Sequence, residues 1–456
     1  MGVAEFKAHL EKVASDFKQV NKPVKLVSNL DADGISAAAV MVRALERLNI
    51  THSVRIIHQL REEEMSELAE EDYDFYVFTD LGSGALPLIE KYLKGRNALV
   101  LDHHHPNGDA DNVWHVNPHL FGIDGSDEIS AAGVAFFFAQ ALDKANEDMS
   151  HIALLGAIGD VQEHDGFSGM NSEILNIAVK KGLVKVEKDL NLYGRESRPL
   201  HKLLEYSSDM KIPGVTGSES SVVQFLNSIG IDPQVEGQWR YLGDLSAEEK
   251  QRLIAGIVMK RVELENPEDI FTKAYVINGE EGVFRSAKEF ATLLNACGRL
   301  DKASIGIGAC LGKPDFKKKA LQVQAEYKKE IVYAMNWFRD NDKTEYVQRG
   351  ENYIIINAEN QVRDTMIGTI ISILSKAGNY PDGTFMLSMA RKPNKVTKVS
   401  IRVVGNPDVN LREIIDKLAA GVGGEAGGHQ YAAGAIISTE KEQDFIEAAK
   451  KSFTQG

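Results

Sequence analysis

Residues 24–34 read Val24-Lys25-Leu26-Val27-Ser28-Asn29-Leu30-Asp31-Ala32-Asp33-Gly34. An apolar run passes directly into two acids one residue apart, and a glycine then lets the chain turn. Residues 24–30 read as a buried strand. Residues 34–48 read as a helix with Ile35, Ala38, Ala39, Val42 and Leu45 on one face. The alternation continues, with strands expected at 53–58, 75–79, 98–101 and 113–116 and a solvated acidic helix at 61–74. Helices are expected at 130–145 and 151–158. Strands alternating with helices imply parallel βαβ units with right-handed crossovers. In such open sheets ligands bind beyond the carboxyl ends of the strands.

The fold class is therefore α/β, with an N-terminal parallel-sheet domain over 1–165. Residues 166–312 carry mainly helical patterns broken by turn signals (IPGVTG, GIDPQ) and form a candidate partner-docking insert. Residues 313–345 hold one long connecting helix opened by Pro314, where a missing N–H costs little. Strand patterns return at 353–357, 385–389 and 399–404, with a helix at 411–420 and a Gly-rich turn and strand, GVGGEAGGHQYAAGAII. Residues 346–456 are thus expected to form a smaller C-terminal α/β domain.

The 456-residue chain is 43% hydrophobic and 26% charged, an ordinary globular composition with a formal charge of −14. That charge argues against coating nucleic acid by bulk electrostatics, so any such contact needs a local basic face or metal ions. Cys297 and Cys310 form no framework and suit a reducing cytosol. The opening MGVAEFKAHLEKVASDF reads as a charged amphipathic helix rather than a signal peptide. No apolar run reaches the roughly 18 residues of a membrane span, and a cytoplasmic location is expected.

Four polar clusters stand at the ends of apolar elements. They are Asn29-Leu30-Asp31-Ala32-Asp33-Gly34 after VKLVS, Thr79-Asp80-Leu81-Gly82 after FYVF, Asp102-His103-His104-His105-Pro106 after ALVL, and Gly156-Ala157-Ile158-Gly159-Asp160 closing an apolar helix. One acid after a strand is an ordinary helix cap. Four clusters at one sheet rim point to a shared site. Carboxylates with a few imidazoles suit Mn2+ or Mg2+. A carboxylate shared by two ions holds them about 3.5–4 Å apart, the spacing for activating a water and clamping a phosphoryl oxygen.

Taken in order, Asp31-Ala32-Asp33-Gly34, Asp80, Asp102-His103-His104 and Gly159-Asp160 resemble motifs I to IV of the DHH phosphoesterase superfamily. Gly427-Gly428-His429 resembles the glycine–histidine motif of its associated C-terminal domain. YGRESRPLHKLLEYS and SAKEFATLLNACGRL resemble the archaeal RecJ-like nucleases. The resemblance implies a two-metal, single-strand-specific exonuclease that releases mononucleotides from DNA, with RNA as an alternative polymer, in replication or repair. It implies two Mn2+ or Mg2+ ions: Asp80 bridges them, Asp31 holds the first, and Asp33, His103 and Asp160 hold the second. His104 contacts the scissile phosphate or assists proton transfer, and Asp102 orients an imidazole. His105 reads as an extra surface histidine. Position 29 departs from the pattern, which usually has His or Asp there, and Asn29 offers only a neutral, weak ligand. Archaeal relatives are linked to the GINS complex or to the Hef helicase-nuclease, and both stay open as partners.

For substrate, residues 386–402 hold Arg391, Lys392, Lys395, Lys398 and Arg402 with no acid, around the hairpin turn 392–395. Gly421, Gly423, Gly424, Gly427 and Gly428 can present backbone N–H groups to a phosphate. The resemblance points to Ser400, Arg402 and His429 as phosphate or terminal-nucleotide contacts. Arg391, Gly427, Gly428 and Arg299 join them as candidates. Tyr431 is either a stacking surface or a core residue. Arg195, Arg198, Asn295 and Arg299 lie in the archaeal-type segments, where helix capping or salt bridging is the plainer role. Two other functions remain: a small-substrate phosphodiesterase acting on short oligonucleotides or cyclic dinucleotides, and an inactive replisome scaffold.

Overall fold

The structure is a computed structural model that describes residues 2–108, 110–163, 165–207, 210–264, 266–405 and 409–455. It divides into two compact units, Met1–Val323 and Gln324–Gly456.

The first unit opens with α1 (Val3–Phe17), β1 (Val24–Asn29), α2 (Ala32–Arg47), β2 (His52–Ile57), α3 (Glu62–Glu70), β3 (Phe75–Thr79), α4 (Leu86–Tyr92), β4 (Asn97–Leu101) and β5 (Val113–Val116). The five strands form one sheet in the order β2-β1-β3-β4-β5, every pair parallel. β1, β3 and β4 are buried on both faces, which is why their sequences read as continuous apolar runs. Winding reverses between β1 and β3, so this pair marks the topological switch point. Their register aligns Ser28 with Thr79, which places the residues after the two strands side by side. Ser28 Oγ fixes the ends together: it accepts Thr79 Oγ1–H at 2.7 Å and lies 2.7 Å from the Gly34 carbonyl oxygen.

Next come α5 (Ala131–Leu142), α6 (Ser150–Gly159) and α7 (Gly169–Lys180). α5 is apolar nearly all round, as a helix enclosed on all sides must be, with Phe136 and Phe138 fully buried. α2 packs against both α5 and α6. Two glycines make that packing possible. A Cβ on Gly156 would strike the Asp33 carboxylate and the Ala132 methyl, and one on Gly159 would press into Ala32.

β6 (Val184–Leu190), α8 (Leu200–Glu205), α9 (Glu219–Ser228), the two-residue strands β7 (Gln234–Val235) and β8 (Gln238–Trp239), α10 (Ala247–Lys260) and β9 (Phe271–Ile277) build the middle region. It has its own core, in which Leu200, Leu203, Val222, Leu226, Leu253, Ile257 and Ile270 meet. The helical reading of 166–312 does not contain the antiparallel pair β6–β9, which runs in register from Val184↔Ile277 to Leu190↔Phe271. Lysines and acids fill most of β6 between its apolar ends, so the strand signal is weak. α11 (Ala287–Arg299) and α12 (Ala303–Cys310) then pack on α6 and α2, and α13 (Pro314–Asn341) runs through the division between the units.

The second unit holds β10 (Val347–Arg349), β11 (Tyr353–Asn357), α14 (Ile367–Lys376), β12 (Phe385–Lys392), β13 (Val396–Val403), α15 (Leu411–Ala420), β14 (Glu425–His429), β15 (Ala432–Ser438) and α16 (Glu442–Gln455). Its sheet runs β10-β11-β12-β13-β15-β14, with β11–β12 parallel and the other pairs antiparallel. Leu411, Ile415, Phe445 and Phe453 join its core from α15 and α16. Among the described residues no helix is long and apolar enough to cross a membrane.

Helix propensity favours alanine over glycine by about 1 kcal/mol in a helix interior. Overpacking a closed site costs about 1–3 kcal/mol. At Gly156 the atoms met are a buried carboxylate and a core methyl, so overpacking should win. Gly156→Ala is expected to lower the unfolding free energy by about 1–2 kcal/mol in a urea titration. A neutral or stabilised variant would contradict this account of the α2–α6 contact.

Candidate metal centre

Each site residue sits where an element ends at the switch point. Asp31 caps α2, its carboxylate accepting the Gly34 N–H at 3.0 Å. Asp33, in the first turn of α2, is fully buried and accepts the N–H groups of Ala131 at 2.7 Å and Ala132 at 2.9 Å. Those donors are first-turn amides of α5, which favour a negative charge. Asp80 follows β3 with a left-handed φ of 58°, a conformation Asp tolerates better than most residues. It too is buried, and its Oδ2 has no hydrogen-bond partner among the described residues.

Beyond β4, Asp102 is buried and accepts four hydrogen bonds: from the N–H of Ser83 at 2.9 Å, of His103 at 2.8 Å and of His104 at 3.2 Å, and from His104 Nδ1 at 2.8 Å. These bonds orient the loop. His103 Nδ1 lies 2.6 Å from the Gly125 carbonyl oxygen, which can only accept, so that nitrogen carries the proton. The other nitrogen, Nε2, has no hydrogen-bond partner among the described residues. It points at three acids: Asp160 at 3.3 Å, Asp80 at 3.5 Å and Asp33 at 3.8 Å. Gly125 must be a glycine here, since a Cβ would run into the His103 carbonyl. Gln162 adds a second hydrogen bond to the Gly125 carbonyl at 2.9 Å.

The potential donor atoms fall into two overlapping groups, Asp80/Asp102/His103/His104 and Asp33/His103/Asp160, each with its atoms within 4.8 Å of one another. Burial raises the pKa of Asp33, Asp80 and Asp160, and neighbouring carboxylates push Asp80 and Asp160 further, Asp160 to about 8. Burial works against protonation of His103 and His104. The surrounding carboxylates outweigh it, Asp160 and Asp33 for His103 and Asp102 for His104, and both rise to about 9. Burial would also raise Asp102, yet the adjacent His104 holds it well below the usual carboxylate range. Crowded acids around an unpartnered imidazole nitrogen fit divalent cations, whose charge would relieve the repulsion. Asp33, Asp80, His103 and Asp160 are the residues of these groups that would hold them.

The remaining expected site residues are placed as follows. Asn29 Oδ1 accepts the Leu30 N–H at 2.6 Å, which draws its ligand atom back onto the main chain. His104 is 43% exposed, and the His105 ring stacks on His119 at 4.1 Å between centroids. Arg299 is half-buried at the end of α11. In the second unit Arg391 is bound by Glu442 at 2.8 Å and Glu359 at 3.1 Å, and Thr397 also donates to Glu442. Its role there is to fix β12 to α16. Ser400 is buried in β13 beside Gly368, and Arg402 Nε donates to Ser372 Oγ at 3.1 Å. Gly427 and Gly428 lie on the edge strand β14, and the side chain of His429 lies outside the described residues. Tyr431 is 56% exposed and is therefore not a core residue. Sequence reasoning missed Ser83, Gly125, Gln162 and Arg412, whose Nη1 donates to the Gly428 carbonyl at 3.4 Å. None of the four stands inside a quoted motif.

Three family models match the chain: the DHH family, N-terminal domain, over residues 26–159; the DHH-CID domain over 192–272; and the DHHA1 domain over 350–455. An uncharacterized protein of Methanocaldococcus jannaschii is 30% identical over 458 residues, spanning 97% of this chain and 94% of the relative. The single-stranded-DNA-specific exonuclease RecJ of Bacillus subtilis is 25% identical over 171 residues, 34% of this chain and 22% of that protein. Among solved structures, Cdc45 of Entamoeba histolytica matches with a TM-score of 0.66 and 14% identity, covering 98% of this chain and 99% of that one. RecJ of Thermus thermophilus in complex with Mn2+ matches with a TM-score of 0.60 and 16% identity. That match covers 99% of this chain, which spans only 55% of the solved one. The chain belongs to the DHH superfamily, in its RecJ-like branch of DHH, DHH-CID and DHHA1 domains.

Proposed function

We propose that this chain is a two-metal phosphodiesterase that removes mononucleotides from an end of single-stranded DNA, with RNA as an alternative polymer. The observation that supports this most is the buried Nε2 of His103, which has no hydrogen-bond partner among the described residues and lies 3.5 Å from Asp80 Oδ1, inside a group of carboxylates. Mn2+ or Mg2+ held there would supply a nucleophile at neutral pH and neutralise charge on the phosphodiester. Asp80 would be shared between the ions, Asp31 would hold one, and Asp33, His103 and Asp160 would hold the other. Asp102 keeps a proton on His104 Nδ1 and so leaves Nε2 to meet the scissile phosphate or to pass a proton to the leaving oxygen. The proposed strand contacts are Ser400, Arg402, Gly427, Gly428, His429 and Arg299.

The setting is DNA replication or repair in the cytoplasm, with the middle region 166–312, which contains its own core, as the docking element for a GINS-type or Hef-type partner. One observation favours a second reading, a scaffold without hydrolysis: the amide oxygen of Asn29 is engaged by the main chain. The intact acid and histidine set favours the enzyme.

Digestion of 5′- and 3′-labelled single strands in Mn2+ is the direct test. Wild type should release mononucleotides and EDTA should stop it. The ions contribute several kcal/mol to the transition state, so Asp80→Asn should be slower by at least about 100-fold. A long strand left intact while cyclic dinucleotides or short oligonucleotides are cut would establish the small-substrate enzyme. Inertness towards all of them would leave the scaffold.

Mn2+ should also stabilise the protein in the absence of nucleic acid. At 100 times the dissociation constant the gain is about 2.7 kcal/mol per site, read as a rise in Tm over EDTA. Asp80→Asn should lose most of that rise. Its Tm in EDTA should match or exceed wild type, because a buried, repelled carboxylate has gone. A lower Tm in EDTA would show that Asp80 is primarily structural.

A further inference from the structure

We infer that Asn295 is a positioning residue for the metal centre, acting through the backbone of Ala32; this inference rests on the metal-binding part of the reading above. Ala32 lies between Asp31 and Asp33 and is the first residue of α2. Its N–H is one of the first-turn donors that no helical carbonyl can satisfy. The cap side chain Asp31 serves Gly34, and the Asp31 carbonyl serves Ile35 at 2.9 Å. The Ala32 N–H goes instead to Asn295 Oδ1 at 3.0 Å, a residue 263 positions away. One helical step further along α11, Gly298 sits so close to the Leu30 carbonyl that a Cβ there would overlap the oxygen. α11 thus grips the loop on both sides of Asp31.

A grip of this kind positions only if the helix is itself fixed. At its other end the buried Glu289 carboxylate accepts the Glu196 N–H at 2.9 Å, and Arg285 pairs with the Glu196 side chain at 2.9 Å. α11 also packs along α6, the helix that delivers Asp160. One rigid helix therefore sets the backbone of the first motif relative to the carboxylate at the end of α6. The dependence is sharpened by Asn29, whose neutral amide is drawn onto Leu30 and leaves Asp31 and Asp33 as the acids of this motif. A rotation of the Ala32 peptide would move Asp31 and Asp33 together. Partners that orient ligands without touching the metal change metal affinity by about 10–100-fold when lost.

The alternative is a packing contact that supports the fold and nothing more. Such a contact would lower Tm and leave metal affinity and local exchange unchanged. The test uses full-length protein without nucleic acid, comparing wild type with Asn295→Leu, which removes the acceptor at similar volume, and Asn295→Asp, which keeps it. Mn2+ titration by calorimetry and hydrogen exchange of peptides covering residues 30–35 are the readouts. Asn295→Leu should weaken the weaker Mn2+ step by about tenfold and speed exchange of that segment, while Asn295→Asp keeps both near wild type. If Asn295→Leu does not fold, Asn295→Ser shortens the side chain out of reach and takes its place. Unchanged Mn2+ affinity and exchange in the acceptor-less variant would overturn the inference, as would equal losses in the aspartate variant. Wild type that binds Mn2+ with this Asn295 dependence and cuts no phosphodiester would sink the nuclease reading and leave the inference standing.

Discussion

Three carboxylates, the buried Asp33 and Asp80 and the half-buried Asp160, are gathered around one imidazole nitrogen, and most of the surrounding structure serves to keep them there. Left to themselves such groups repel, and burial disfavours their charged forms. The fold resists this in two ways. Asp33 is anchored by the first amides of α5, and Asp102 by three donors of its own loop and the Ser83 N–H. The switch point between β1 and β3 then brings the anchored residues together, because adjacent parallel strands end at the same height.

Close approach matters as much as charge. Gly156 and Gly159 let α6 lie against the first turn of α2, which bears Asp33, and Gly125 lets its own carbonyl reach His103. That carbonyl fixes the ring's tautomer and turns Nε2 toward the acids. A methyl group at any of these positions would move a donor atom by a few tenths of an ångström or more. A ligand set built on mutual proximity tolerates little of that. The two glycines of the fourth motif thus act in packing, and Asp160 brings the motif's carboxylate into the group around His103.

The legible part of this structure is the local part. The change from an apolar strand to a polar cluster lies within a few residues, so β1, β3 and β4 and the acids that follow them could be read directly from the sequence. The pairing β12–β13 around residues 392–395 was visible for the same reason. What escaped depends on distant partners. Arg391 stands in a basic run and reads as a phosphate contact, yet Glu442 lies 51 residues further on and engages it. Gly125 carries no motif, and its role follows from where His103 ends up. The strand β6 is masked by its own solvated charges, and only its pairing with β9 reveals it.

The overall charge bears on how an acidic protein can attract a polyanion. At −14 the chain repels nucleic acid at long range, but salt screens that beyond about 10 Å. Local sign therefore decides. Several arginines of the second unit are already neutralised, Arg391 by Glu442 and Glu359, Arg412 by Asp416 and Arg349 by Asp342. The run 386–402 accordingly offers less uncompensated charge than its sequence suggests. Under the proposed reading, phosphate attraction then falls on Arg402 and Arg299, on neutral donors such as Ser400, and on the cations that the acids of the first unit would gather. A groove lined with lysine would hold a strand without metal. A protein whose positive potential resides in bound ions would lose affinity and chemistry together when they leave, because the acids that remain repel the same phosphate.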